Sequence, residues 1–192
     1  MKATKEDIIA LPHASLRTRS TRVGLVDDSI KDLIKRMEDA TLDWEASRKH
    51  EVGVALAAVQ INELKRVVIL RNNHDDRNDK TFTVLINPEI VKTEGPIVKD
   101  HEGCLSIKNL YGYVPRYDKV KVKALDENGH EIRLTAEGFL ARTLQHEIDH
   151  TNGIVYIDHI KDDPEAFFNL DEQGHLIPVD YEEVSKSTII WE

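Results

Sequence analysis

The stretch QHEIDHTNG, residues 145–153, sets two histidines four positions apart with a glutamate directly after the first. Residues i and i+4 share one face of an α-helix, so His146 and His150 can aim their rings at one ion. Glu147 then projects from the neighbouring side of the turn, where it can reach water at an open position without itself ligating. The flanks support a helix: in TAEGFLARTLQHEIDHTN, residues 135–152, the side chains of Phe139, Leu140, Leu144 and Ile148 fall at the offsets of a buried stripe, and Asn152-Gly153 stops it. In a chain with nine histidines such a match arises by chance with a probability of roughly a few per cent. The spacing therefore points to a metal hydrolase, and first to one that cuts peptide bonds.

A catalytic site of this kind holds three protein ligands and keeps a fourth position for water. Families with this helix commonly take the third ligand from a downstream Glu or His. Here His159 and Glu165 lie downstream in no matching pattern, and position 156, where one such pattern requires His, is Tyr. Upstream, HEGCLS at 101–106 contains the only cysteine, Cys104, beside Gly103 and Ser106. A lone cysteine is more often an inert buried residue than a ligand, so these residues by themselves leave the third ligand open.

The rest of the chain bounds the fold. At 192 residues it suits one domain with a substantial core. Hydrophobic residues make up 40% and charged residues 32%, and no run approaches the roughly 18 apolar residues of a membrane span. The amino terminus lacks the apolar segment and small-residue cleavage site of a secretory leader. One cysteine excludes an intrachain disulfide framework and fits a reducing compartment, so the expected location is the cytoplasm, with an organelle as the alternative. A net charge of −9 argues against nucleic-acid binding, and the basic cluster Arg17, Arg19, Arg22 reads as a solvated face.

Ile30, Leu33, Ile34, Met37 and Trp44 recur at helical spacing after Asp28 or Ser29 as a cap, predicting a helix over 29–48. VVIL at 67–70 and TFTVLI at 81–86 read as paired strands around a polar loop. KVKVKAL at 119–125 alternates, turns at DENG and returns through 130–134 as a hairpin with one wet face. LDEQGHLI at 170–177 matches LDENGHEI at 125–132 in six of eight positions, which predicts a second hairpin with the same turn. The fold class is α+β, with antiparallel or mixed strands around a central C-terminal helix.

Three segments in order, GVALAAVQ (53–60), EGCLS (102–106) and QHEIDH (145–150), together with NPEI (87–90), YVPRYDKVKVKALDENG (113–129) and IIALPHASLR (8–17), resemble the peptide deformylases. The likeness spans about 8–160, which marks 1–160 as a catalytic domain and 161–192, with nine acidic residues against one lysine after Lys161, as an acidic extension packed on or continuing it. The resemblance implies that Cys104, His146 and His150 hold one divalent ion, Fe(II) in vivo with Zn, Ni or Co accepted. It implies that Glu147 moves the proton, and that the Gln60 side chain and the Leu105 N–H stabilise the oxyanion as formate leaves an N-formylmethionyl polypeptide. Gly53, Val54, Ala55, Glu102, Gly103, Tyr111, Phe139, Arg142 and Thr143 are the implied substrate-binding positions, with Glu102 and Arg116 bracing the strand and Asp149 pairing with Arg116.

The implied partners are N-formylmethionyl peptides and, transiently, the ribosome exit region, without nucleic-acid or membrane binding. Ala55 stands where the family motif has a second glycine, Val59 occupies a variable position, and Thr151 replaces a common Leu. If that glycine requires positive φ or close backbone approach, Ala55 alters substrate binding. Two alternatives follow: a hydrolase of the same fold acting on another N-formyl or N-acyl substrate, and a catalytically silent module that binds formylated termini.

Overall fold

The computed structural model describes residues 2–49 and 51–191, and its first long element is α1, Asp28–Ala46. The helix predicted over 29–48 is present, but its cap is Asp27 rather than Asp28 or Ser29. The Asp27 carboxylate accepts from the backbone N–H of Ser29 at 3.0 Å and of Ile30 at 3.2 Å, satisfying two donors that the first turn leaves free. Seven strands follow: β1 (Ala55–Ala57), β2 (Val67–Arg71), β3 (Phe82–Cys104), β4 (Ile107–Leu125), β5 (Glu131–Glu137), β6 (Phe167–Leu170) and β7 (Leu176–Pro178). They form one sheet in the order β1-β2-β3-β4-β6-β7 with β5 also on β4, and all these pairings are antiparallel.

The unbroken apolar run of β2 is explained by burial on both faces. Val67 and Ile69 pack with Ile30, Leu33 and Met37 of α1, whereas Val68 and Leu70 pack towards the helix α2, Gly138–Thr151, through Leu144 and Ile148. β3 and β4 extend well beyond the predicted strands. Residues 91–101 of β3 are largely exposed, so no alternation marks them, yet they pair along β4 from Glu89↔Lys123 to Glu102↔Gly112.

The second helix starts at Gly138 rather than 135, because Thr135–Glu137 continues the ladder of β5 against Lys119–Lys121. Gly138, at φ 58°, makes the change from strand to helix. Its predicted stripe is only half right. Leu144 and Ile148 are buried beside Ala141, but Phe139 and Leu140, in the first turn, are 51% and 45% exposed. Gly153 ends the helix at φ 76°.

The two matching turns adopt one hydrogen-bond pattern. Asp126 accepts at its side chain from Asn128 N (2.9 Å) and His130 N (2.9 Å). Asp171 does so from Gln173 N (2.9 Å) and His175 N (2.7 Å). The second turn joins β6 to β7, and β6 pairs with β4 at Tyr111↔Phe168 and Gly112↔Phe167. Two short helices, α3 (Tyr181–Ser185) and α4 (Thr188–Trp191), close the described chain. Of the basic cluster, Arg17 and Arg22 pair with Asp158 and Glu89. No helix among the described residues is long and apolar enough to cross a membrane.

Candidate active site

Cys104 is the last residue of β3, and the turn to Ile107 sets it against α2. Its Sγ lies 3.2 Å from His150 Nε2, which lies 3.2 Å from His146 Nε2, and the ligand atoms of all three residues fall within 4.8 Å of one another. The third donor is therefore upstream; His159 instead pairs with Asp149 at 2.7 Å. Two imidazoles this close do not both become positively charged imidazolium ions. Burial opposes charge on both, but hydrogen bonds with Cys104 and Glu102 raise His146 well above the usual histidine range, while burial and the His146 charge push His150 well below it. Two imidazole nitrogens and a thiol sulfur suit a borderline divalent ion. The fit is strengthened by the His146 Nδ1 contact to Glu102 Oε2 at 2.9 Å, which fixes the tautomer that leaves Nε2 as the donor.

Glu102 is saturated. Oε1 accepts from Arg116 Nε at 2.9 Å and Arg142 Nη1 at 2.8 Å, and Oε2 from Arg116 Nη2 at 3.1 Å besides His146. Burial works against its charge, yet the hydrogen bonds from His146 and Arg116 hold the carboxyl well below its usual range. Arg116 also reaches Asp149 at 2.5 Å. Arg142 also donates to the carbonyls of Val114 and Val98, each at 2.7 Å, and of Asp100 at 3.3 Å. Glu102 and Arg142 thus border the cavity while their polar atoms serve the strand and the histidine.

Beside the ligand atoms opens a cavity of about 280 Å³, lined by Val54, Ala55, Gln60, Leu105, Phe139 and Glu147 among others. The Gln60 amide is oriented unambiguously: Oε1 accepts the Ala57 N–H at 2.8 Å, so Nε2 faces Ser106 Oγ at 3.2 Å and Cys104 Sγ at 3.5 Å. Burial pushes the Glu147 carboxyl up to about 7, and its Oε2 has no hydrogen-bond partner among the described residues. Such a group is suited to exchange a proton near neutrality.

Gly103 and Tyr111 also line the cavity, in contact with each other: a Cβ on Gly103 would lie 2.6 Å from the Tyr111 ring. The glycine is needed for space. Thr143 lies at the same wall. Gly53 does not; it packs on α1, where a Cβ would lie 2.6 Å from Thr41 Cγ2. Ala55 takes an extended strand conformation paired with Leu70, and among the described residues the non-glycine positions with positive φ are Asn62, Asn87 and Asn109, so its methyl meets no conformational penalty. Val59 and Thr151 are buried away from the cavity lining.

Sequence reasoning missed Trp44, Arg48 and Glu51, which form another wall. Arg48 stacks on Trp44 at 4.9 Å, and Tyr111 donates its hydroxyl to Glu51 Oε1 at 2.7 Å. Trp44 was legible only as part of an apolar stripe, and nothing local distinguished Arg48 or Glu51 from solvated residues.

The family model for polypeptide deformylase matches residues 5–165. Peptide deformylase 1 of Pseudomonas syringae pv. tomato is 40% identical over 154 residues, covering 80% of this chain and 86% of that protein. Peptide deformylase 2 of Clostridium acetobutylicum is 43% identical over 143 residues, covering 74% and 87%. A crystal structure of a peptide deformylase from Legionella pneumophila superposes with a TM-score of 0.71 at 38% identity, covering 83% of this chain and 86% of that one. One from Synechococcus elongatus in complex with actinonin gives 0.70 at 35%, covering 79% and 76%. The chain belongs to the peptide deformylase family, metal-dependent hydrolases that remove the formyl group from nascent polypeptides.

Proposed function

We propose that Cys104, His146 and His150 hold one divalent ion, Fe(II) in vivo with Zn, Ni or Co as substitutes, and that this site hydrolyses the formyl amide of N-formylmethionyl peptides. The observation that carries the reading is the convergence of these three donors, within 4.8 Å of one another, beside the buried Glu147 and the oriented Gln60 amide. When bound, such an ion acts as a Lewis acid and brings the ionisation of water towards neutral pH.

The chain's own residues supply the rest. Glu102, clamped by two arginines, holds the His146 ring in position. Glu147 Oε2 accepts the proton of the attacking water and returns it to the departing amine nitrogen, so formyl amide and water yield formate and a free amino terminus. Gln60 Nε2 and the Leu105 N–H donate to the oxygen of the tetrahedral intermediate, and loss of one such donor costs about 3 kcal/mol. Val54, Ala55, Gly103, Tyr111, Phe139 and Thr143 receive the methionine and the peptide behind it, in a cavity with a largely apolar lining.

The bacterial relatives and the nascent substrate support action in the cytoplasm, with transient encounters at the ribosome exit region. Residues 161–192 act as an extension of the catalytic domain, which the pairing of β6 with β4 supports. The test is Glu147→Gln, assayed by formate release from formyl-Met-Ala peptides together with metal analysis. Bound metal is expected to be retained and turnover to fall by roughly two to four orders of magnitude. Turnover near that of the parent would sink the assignment.

A further inference from the structure

A second set of buried charges, none of them a metal ligand, joins the end of α1 to β2. Glu45 and Arg71 form an ion pair at 3.1 Å, with side chains 7% and 0% exposed. Replacing a buried ion pair with apolar side chains of similar volume is often neutral or stabilising, so stability alone is a weak reason for this one. Its other bonds indicate what it holds.

The same Glu45 Oε2 accepts the backbone N–H of Gly53 at 3.1 Å, and the backbone N–H of Arg71 donates to the Val54 carbonyl at 2.7 Å. From the loop between β2 and β3, the Arg77 guanidinium donates to the carbonyls of Glu45 (2.9 Å), Arg48 (3.1 Å) and Lys49 (3.2 Å). Such capping suits a helix C-terminus, where carbonyls lack partners and the dipole favours a cation. Arg71 Nη2 in turn donates to the Arg77 carbonyl at 3.3 Å. Gly53 also packs closely on α1: a Cβ added to it would lie 2.6 Å from Thr41 Cγ2 and 3.1 Å from the Thr41 carbonyl oxygen.

Val54 and Ala55, immediately after the clamped Gly53, line the cavity, as do Trp44 and Arg48. β1 stands at the edge of the sheet, and an edge strand offers free main-chain groups to an extended peptide. Neither Glu45, Arg71 nor Arg77 lines the cavity. We infer that Glu45, with Arg71 and Arg77, is a positioning residue for substrate: the clamp fixes the Gly53–Ala55 edge at the depth where the peptide main chain and first side chain must lie. The inference rests on the proposed deformylase reading of the cavity. Because the clamp touches neither metal ligands nor Glu147, its loss falls on binding rather than on turnover.

Arg77→Ala and Glu45→Gln test it in the metal-loaded enzyme with formyl-Met peptides. Both are expected to raise KM about tenfold with kcat within about twofold, while metal affinity, measured by chelator competition, is unchanged. Arg77→Lys, which still donates to carbonyls, should recover part of the KM effect. A lower melting temperature with KM within twofold of the parent would overturn the inference, as would loss of kcat accompanied by loss of metal. If Glu45→Gln fails to fold, Arg77→Ala decides alone, its side chain being partly exposed. If the parent releases no formate, the deformylase reading fails, and the clamp is judged on the dissociation constant for a formyl-Met peptide, which the variants must raise about tenfold.

Discussion

Glu102 takes four donors on two oxygens, and one of them is the ring nitrogen that fixes the tautomer of His146. Glu102→Gln substitutes an amide that must present two N–H donors where four donors converge. It should weaken metal affinity by roughly 10- to 100-fold, the usual cost of losing an outer-shell partner, and competition with a chelator measures this directly. At this scale much of the site could be read in advance. His146, Glu147 and His150 were recognisable because their chemistry depends on residue type and short spacing, whereas Cys104, and Arg116 as a partner for Glu102 and Asp149, were recognisable only through the resemblance to a family. Glu51 and Arg48 were not: the bond of Glu51 to Tyr111 exists only after β4 has been brought to the end of α1, and Arg48 stacked on Trp44 four residues away reads as an ordinary surface pair until the cavity beside it is formed.

Among the elements, the approach of β3 to β4 at the site depends on the missing side chain of Gly103. The Tyr111 ring over it is tethered by its hydroxyl to Glu51, so it has little freedom to yield. Gly103→Ala is expected to cost about 1–3 kcal/mol through overpacking, seen as a lower denaturant midpoint. Adding Tyr111→Leu, which vacates the overlap, should recover most of that loss; failure to do so would place the strain elsewhere. β2, β5 and α2 were legible because apolar residues mark at least one buried face. The distal half of β3 was not, since exposed residues on both faces carry no period. The start of α2 was misplaced for a related reason: Thr135 and Ala136 suit either helix or strand, and the ladder with Lys121 and Val120 decided it. Phe139 and Leu140 matched the stripe in spacing but lie in the first turn, before the helix passes beneath the sheet.

For the whole molecule, Cys104 at the end of a long strand and the two histidines of α2 would be tied together by an ion held between them, so metal binding and folding would be coupled. An ion held only by the native chain stabilises it by about 4 kcal/mol when its free concentration is a thousandfold above the dissociation constant. Removing the metal with a chelator should abolish formate release and lower the melting temperature, and restoring Fe(II) under anaerobic conditions should reverse both. A melting temperature indifferent to metal would mean that the ion does not bind the native chain in preference to the unfolded one. The antiparallel sheet as a whole was legible as an α+β arrangement, but its extension through β6 and β7 rests on pairing with Tyr111 and Gly112, which no local pattern announces.

The two Asp-centred turns have a use beyond this enzyme. Each closes on its own aspartate, which gathers two backbone N–H groups, while a glycine at φ 82° or 87° completes the reversal. The residues that follow differ, glutamate in one and leucine in the other, and so do the neighbouring strands. A turn that satisfies its own polar groups makes few demands on its surroundings, which makes this five-residue unit a portable part for engineered hairpins whose register must be set without help from a core.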